Sequence, residues 1–313
     1  MFTMAIWFFT AIAGFALAMM ASRWAVQQGS MLAQGFFLPP FVIGVTFMAI
    51  GTDVPEIANS VMSSLAGHGD LNVGDSVGSV STQITLILGL LPFAAGKFEV
   101  GRNRVALISV LTMIALGIGA YLIADGFLSR TDALVLLLAW AGATALLWRY
   151  APPRSEALMI ASVHSKGFHA VLLIFSLLLV GAGAGAAVKA LVEISQAFHV
   201  PEYMISFFGS SIGTSLPELV VDFTALRKGQ RDLALGDVTG SCLVDATLSI
   251  AAGPLIAPGA VTAALALRGA IVAAGVVFLA SLLLWGRRRH DRWSGLFLLL
   301  LYAATYFLLF VRS

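Results

Sequence analysis

The chain is poor in charge and nearly free of thiols. Asp, Glu, Lys and Arg make up 11% of its 313 residues, less than half of the roughly 25% usual in globular proteins. Residues that could dress a water-exposed surface are therefore scarce, while 59% of the chain is hydrophobic. A soluble globular fold is excluded, and no stretch between the apolar runs is long enough to bury a core of its own. The single cysteine, Cys242, excludes an internal disulfide and leaves the redox compartment open. Inside an apolar run it is expected to act as a small packing residue. A clustered His/Cys metal site is also missing. His68, His164, His169, His199 and His290 all fall in or beside connections, which predicts solvated roles for them. No basic residue precedes the first apolar stretch, which therefore reads as a retained span rather than a cleaved leader.

What the chain does contain is apolar runs of membrane-crossing length, end to end. Ten are predicted, near 4–24, 36–65, 72–95, 104–124, 131–149, 168–190, 198–226, 233–256, 264–286 and 293–311. The longest connection, 151–166, carries Pro152, Pro153, Arg154 and Lys166 and divides the chain into halves at 1–150 and 167–313. Five spans per half is an odd number, so the second half enters the membrane from the opposite face and the halves are inverted. Fourteen of the eighteen basic residues fall on one set of alternate connections, including Lys97, Arg102, Arg104, Arg227, Lys228 and Arg231. The positive-inside rule makes that set cytoplasmic and both termini extracytoplasmic. The cluster at Arg287, Arg288, Arg289 and Arg292 belongs to the same signal, and no nucleic-acid partner is expected.

One passage occurs twice. Gly51-Thr52-Asp53-Val54-Pro55-Glu56 leads to Gly74-Asp75-Ser76-Val77-Gly78-Ser79. Gly213-Thr214-Ser215-Leu216-Pro217-Glu218 leads to Gly236-Asp237-Val238-Thr239-Gly240-Ser241, at a constant offset of 162 residues. Gly67, Asp70 and Leu71 recur at the same offset as Gly229, Asp232 and Leu233. A duplicated passage that interrupts hydrophobic spans is the strongest sequence pointer to a transporter's binding site.

Asp53, Glu56, Glu218, Asp222 and Asp245 stand inside apolar spans, with no lysine or arginine at comparable depth. Each such charge costs roughly 2.5–3.5 kcal/mol on insertion scales, so a cation must supply the balance. Pro55 and Pro217 lack an N–H and clash with the carbonyls of Gly51 and Gly213, which predicts helix breaks and released carbonyl oxygens. Thr52 with Glu56, and Thr214 with Glu218, share helix faces at a spacing of four. Asp75, Ser79 and Gln83 make a second stripe, and Asp237, Ser241 and Asp245 its counterpart. Carboxylates, hydroxyls and carbonyls are the ligands of hard cations, calcium and sodium among them. Gly74, Gly78, Gly236 and Gly240 are expected to clear a face for close backbone approach. Asp75 and Asp237 are expected to complement helix N-termini. Asp222, which has Ser60 as its counterpart, is expected to be a relay or a hydrated residue on the cytoplasmic side.

These two passages resemble the alpha-repeats of the cation/calcium antiporter superfamily, most closely those of the sodium/calcium exchangers. The likeness rests on Gly-Thr-x-x-Pro-Glu followed by Gly-x-x-x-Gly-Ser, within about 44–90 and again within about 206–252. It implies an all-α membrane protein of ten transmembrane helices, in two inverted five-helix repeats with broken helices at a central ion site. It further implies that Glu56 and Glu218 bind calcium and sodium in turn. Thr52, Thr214, Ser79, Ser215, Ser241 and Asp245 fall on the family's other ligand positions. The chain departs from the pattern at Asp53, where the family usually has serine, and at Gln83, where it usually has asparagine. The asparagine that usually follows the repeat serine is replaced by Val80 and Cys242.

The reading is a secondary antiporter of the cell membrane, not an enzyme, exchanging Ca2+ for Na+ by alternating access. No cofactor is called for beyond the transported ions, and the oligomeric state is left open, a monomer being compatible with the layout. A proton-coupled antiporter, or one taking another divalent ion, is the alternative. So, remotely, is an intramembrane aspartyl protease, since Ala234-Leu235-Gly236-Asp237 is one residue short of a Gly-x-Gly-Asp motif.

Overall fold

A computed structural model describes residues 2–32, 40–150 and 166–310. Of the predicted connecting segment 151–166, only Lys166 is among them. The described chain is a bundle of helical spans: α1 (Phe2–Leu32), α3 (Gly69–Ala95), α4 (Arg102–Ile123), α5 (Arg130–Arg149), α6 (Lys166–Phe198), α7 (Glu202–Arg227), α8 (Arg231–Ile256), α9 (Ala263–Arg287) and α10 (Arg292–Phe310). Between α1 and α3 lies α2, made of Phe41–Thr52 and Val54–Leu65 bent by 43°. Among the described residues nine spans are single helices long and apolar enough to cross a membrane, and the bent pair, taken as one span, makes a tenth.

Two short antiparallel ribbons add to the helical expectation. β1 (Phe98–Glu99) pairs with β4 (Arg289–His290), and β2 (Phe127–Leu128) pairs with β3 (Gly259–Ala260). They tie together the alternate connections that the charge pattern groups on common faces. An Arg104–Asp232 ion pair at 3.2 Å joins the first turn of α4 to the first turn of α8. On the opposite face His68 meets Glu202 at 3.0 Å, and Asp70 accepts hydrogen bonds from the N–H and hydroxyl of Thr262.

The core sits where the duplicated passages meet. In the most apolar stretches of α3 and α8, 78% of the residues are buried, against 17% in that of α5. Their glycines are the reason. A Cβ at Gly74 would come within 2.5 Å of the Tyr203 carbonyl oxygen, and one at Gly78 would collide with Phe207. In the mirrored contact a Cβ at Gly236 would lie 2.8 Å from the Phe41 carbonyl oxygen, and one at Gly240 2.6 Å from Val45 Cα. Each half thus lays its glycine face on the broken helix of the other, as small residues in membrane helices allow.

The sequence reading did not anticipate that the four central helices would widen into π-helical turns, at Gly44–Met48, Thr82–Ile87, Ser206–Ser210 and Asp245–Ser249. Such bulges free backbone carbonyls and concentrate at functional sites. Threonine hydroxyls take up some of these: Thr46 donates to Val42 O at 2.6 Å, Thr247 to Leu243 O at 2.5 Å, and Thr85 to Ser81 O.

Candidate functional site

Both copies of the motif break at a single residue. Asp53 (φ −78°, ψ 6°) and Ser215 (φ −82°, ψ 8°) leave the helix, and Val54–Leu65 and Leu216–Arg227 begin directly after them. Pro55 and Pro217 occupy the first turn of these new segments, where a missing N–H costs nothing. Glu56 and Glu218 follow in that same turn, so each carboxylate sits at the positive end of a half-helix. The predicted breaks are present. Only the first exceeds 40° of bend; α7 passes through its break as one span.

Glu56 and Glu218 are fully buried, and so is Asp53. One oxygen from each of the three lies within 4.8 Å of the others, bringing the two halves of the chain to one point. Ser215 Oγ donates to Glu56 Oε1 at 3.3 Å. The equivalent contact on the other side sets Asp53 against Glu218. Gln83 Nε2 donates to Asp245 Oδ2 at 2.9 Å and reaches Asp53 Oδ1 at 3.5 Å. Gln83 and Asp245 are themselves separated by the repeat offset, so the pseudo-twofold axis runs between them. Cys242 Sγ lies 3.8 Å from the carbonyl of Val80, its counterpart, on that same axis, and is buried as expected of a packing residue.

The remaining predicted residues flank this centre. Thr52 Oγ1 lies 3.4 Å from Ser241 Oγ and 3.5 Å from Asp237 Oδ1. Thr214 Oγ1 donates to Asp75 Oδ1 at 3.2 Å. Ser79 is buried and its hydroxyl has no hydrogen-bond partner.

Three expectations are corrected. Asp75 and Asp237 do not cap helices: Asp70 and Asp232 hold the first turns, while Asp75 and Asp237 lie beyond, buried against the threonines of the motif. A first-turn role needs a position before any intrahelical partner exists, and both helices start earlier than the hydrophobic pattern indicated. The stripes of spacing four were the signal that placed them in the site. Asp222, expected as a relay or a hydrated residue, is fully buried, which removes the hydrated alternative. His290, expected in solvent, is 0% exposed, with Nε2 at 2.7 Å from Leu88 O and Nδ1 at 2.8 Å from Ser294 Oγ. Asn59 escaped sequence reasoning altogether; its Nδ2 donates to Asp75 Oδ2 at 2.5 Å.

The donor set has one chemical character. Asp53 Oδ2, Glu56 Oε2, Asp245 Oδ1, Gln83 Oε1 and both Glu218 oxygens are buried and accept no hydrogen bond. Among the described residues no lysine or arginine is buried to offset them. Orphaned buried carboxylates are too costly to stand alone. An oxygen-only cage with several negative charges suits a hard cation.

The comparisons with known proteins agree in kind. The profile of the family described as "Sodium/calcium exchanger protein" matches residues 6–149 and 168–311. The chain is 31% identical to "Putative antiporter CaxA" of Alkalimonas amylolytica, over 96% of this chain and 97% of that protein. It is 29% identical to "Inner membrane protein YrbG" of Escherichia coli (strain K12), over 88% of each. A solved structure of the sodium-calcium exchanger NCX_Mj, soaked with 10 mM Na+ and zero Ca2+, superposes with a TM-score of 0.67 at 28% identity. That match covers 97% of this chain and 98% of the other.

Proposed function

The chain belongs to the sodium/calcium exchanger protein family, a family of membrane transporters rather than enzymes, and we propose that it exchanges Ca2+ for Na+ by alternating access. The observation that carries this reading is the convergence of Glu56 and Glu218, one from each repeat, with Asp53 in a fully buried site. Two or more carboxylates neutralise a divalent ion or several monovalent ones, so the two loads can compete for one set of oxygens. Thr52, Thr214, Ser79, Ser215, Ser241, Gln83 and Asp245 complete that set. Ser215 reaching across to Glu56 couples the halves, so rocking one against the other would remake the site toward the opposite face.

In this reading residues 1–150 and 167–313 are the inverted repeats and the segment 151–166 joins them in the cytoplasm, with both termini outside the cell membrane. Single cysteines at Ser155 and Arg288, with Cys242 replaced, should react with impermeant thiol reagents only from the cytoplasmic side. Labelling of both from outside reverses the orientation.

The function is tested by radiolabelled calcium uptake into proteoliposomes under separately imposed sodium and pH gradients. Uptake against a calcium gradient, driven by sodium alone, is the expected result. Uptake driven only by the pH gradient would make the protein a proton-coupled antiporter. Dissipative flux with neither gradient would make it a channel.

A further inference from the structure

Asp222 lies one turn beyond Glu218 on α7, toward the Arg227–Arg231 connection. It is 0% exposed and neither of its oxygens accepts a hydrogen bond. Its charged neighbours are acids. Asp237 on α8 faces it at hydrogen-bonding range, and Glu218 is the next nearest. Asp237 receives Thr52 Oγ1 on Oδ1, while its Oδ2 is buried and bare.

The first repeat shows that the fold does not require this. Ser60 stands at the place of Asp222, and its hydroxyl accepts the Gly253 N–H at 2.9 Å. Asp75, the counterpart of Asp237, is satisfied by Asn59 and Thr214. Val221 replaces the asparagine in the second repeat, so no amide reaches Asp237 from that position. The first repeat therefore has a single carboxylate with two hydrogen-bond donors at this place, and the second has two carboxylates whose only donor among the described residues is the Thr52 hydroxyl.

We propose that Asp222 and Asp237, with the Thr52 hydroxyl beside them, form a second hard-cation site that holds one divalent ion next to the Glu56–Glu218 centre. Two carboxylates carry two negative charges, which one divalent ion cancels and one monovalent ion does not. All ligand atoms in view are oxygens, which suits calcium and disfavours soft metals. The site stands between the centre and the connection holding Arg227, Lys228 and Arg231, so an ion entering or leaving by that face would pause there. The choice of calcium as the ion rests on the proposed exchange function; the existence of the site does not.

The test is equilibrium dialysis of radiolabelled calcium against the purified full-length protein in detergent. Asp222→Asn keeps the shape, and Asp222→Ser installs the side chain the first repeat carries at that place. The wild type should bind two equivalents of calcium. Either Asp222 variant, if it elutes as a monodisperse peak, should lose one equivalent and retain the other. Glu56→Gln, which lies outside the contacts of Asp222, should remove the remaining class and leave the Asp222 class. A wild type that binds one equivalent, or monodisperse Asp222 variants that bind two, overturns the second site. Loss of the Asp222 class alone, with Glu56→Gln unchanged from wild type, overturns the central site instead and leaves this one standing.

Discussion

The two repeats share a backbone plan, with the sharper bend in the first, and differ in how their buried acids are compensated. Position by position the contacts are mirrored. Thr52 meets Asp237 as Thr214 meets Asp75, and the pairing of Ser215 with Glu56 is matched by that of Asp53 with Glu218. In each mirrored pair one side is a neutral donor on an acid, or gains an amide, and the other gathers further acids. Asn59 and Ser60 belong to the first repeat; Asp222 and Asp245 belong to the second, with Gln83 facing Asp245 across the axis. Duplication supplied a symmetric frame, and substitutions at a few buried positions gave Asp75 an amide donor in the first repeat and left Asp237 facing a second acid in the other. Asp53 is the exception, an acid on the first-repeat side where the second has serine.

The comparison breaks most completely at the shared glutamates. Glu56→Gln and Glu218→Gln each leave the volume unchanged and remove a charge the bound ion must balance. Losing one partner of a buried charge pair costs about 3–5 kcal/mol, so exchange should fall by about 100-fold or more in either variant. Calcium flux in proteoliposomes measures it, and near-normal flux in the inserted double variant overturns the site.

Asn59→Val copies the second repeat's residue into the first. Asp75 then loses its amide donor while still buried, a penalty of about 3 kcal/mol for a charged acceptor. Thermal unfolding in detergent should drop clearly, and added calcium should recover part of the loss. An unchanged melting temperature would mean that Asp75 is balanced by something other than Asn59.

The repeats also differ in how they treat a second pair of prolines. Pro92 and Pro254 each deprive a carbonyl four residues earlier of its donor, at Leu88 and Ile250. His290 Nε2 fills the first role and Asn72 Nδ2, at 3.1 Å, the second. Burial pushes the His290 imidazole down to about 4 from its usual 6.5, against the opposing pull of the Leu88 carbonyl. Between those pH values the unfolded chain holds the proton and the folded chain does not. The stabilisation is therefore whole above about 6.5 and is lost as pH falls toward 4. His290→Gln keeps a donor and removes the titration, so its melting temperature should fall less steeply over that window, by a difference on the order of 1–3 kcal/mol. Parallel pH profiles would show that His290 keeps its proton balance in both states.

The smallest effect is expected at Asp53, which sharpens the comparison by making the two breaks alike. Asp53→Ser should retain calcium exchange within about tenfold, the equivalent of 1.4 kcal/mol. It should also lose part of the inhibition by mild acid, because protons have one fewer carboxylate to compete for. Exchange rate against pH at fixed sodium and calcium is the measurement, and superimposable profiles remove Asp53 from any pH response.

Much of this was legible without coordinates. Ten apolar runs, the offset of 162 and the Pro-Glu motifs specify ten spans, two repeats and two broken helices, because hydrocarbon thickness and the missing proline N–H act locally on the chain. Glu56 and Glu218 stood out because a charge in an apolar span needs a partner wherever the span ends up. Tertiary structure alone decided which acids are balanced by amides and which are not. Asn59 and His290 looked ordinary in sequence, and Asp222 showed only as one more acid in an apolar span, since their meaning depends on Asp75, Leu88 and Asp237, brought to them from other helices. Periodicity reports which face of a helix a residue shares. Which polar atom waits on the neighbouring helix is set by crossing geometry and by the glycines that let the helices touch.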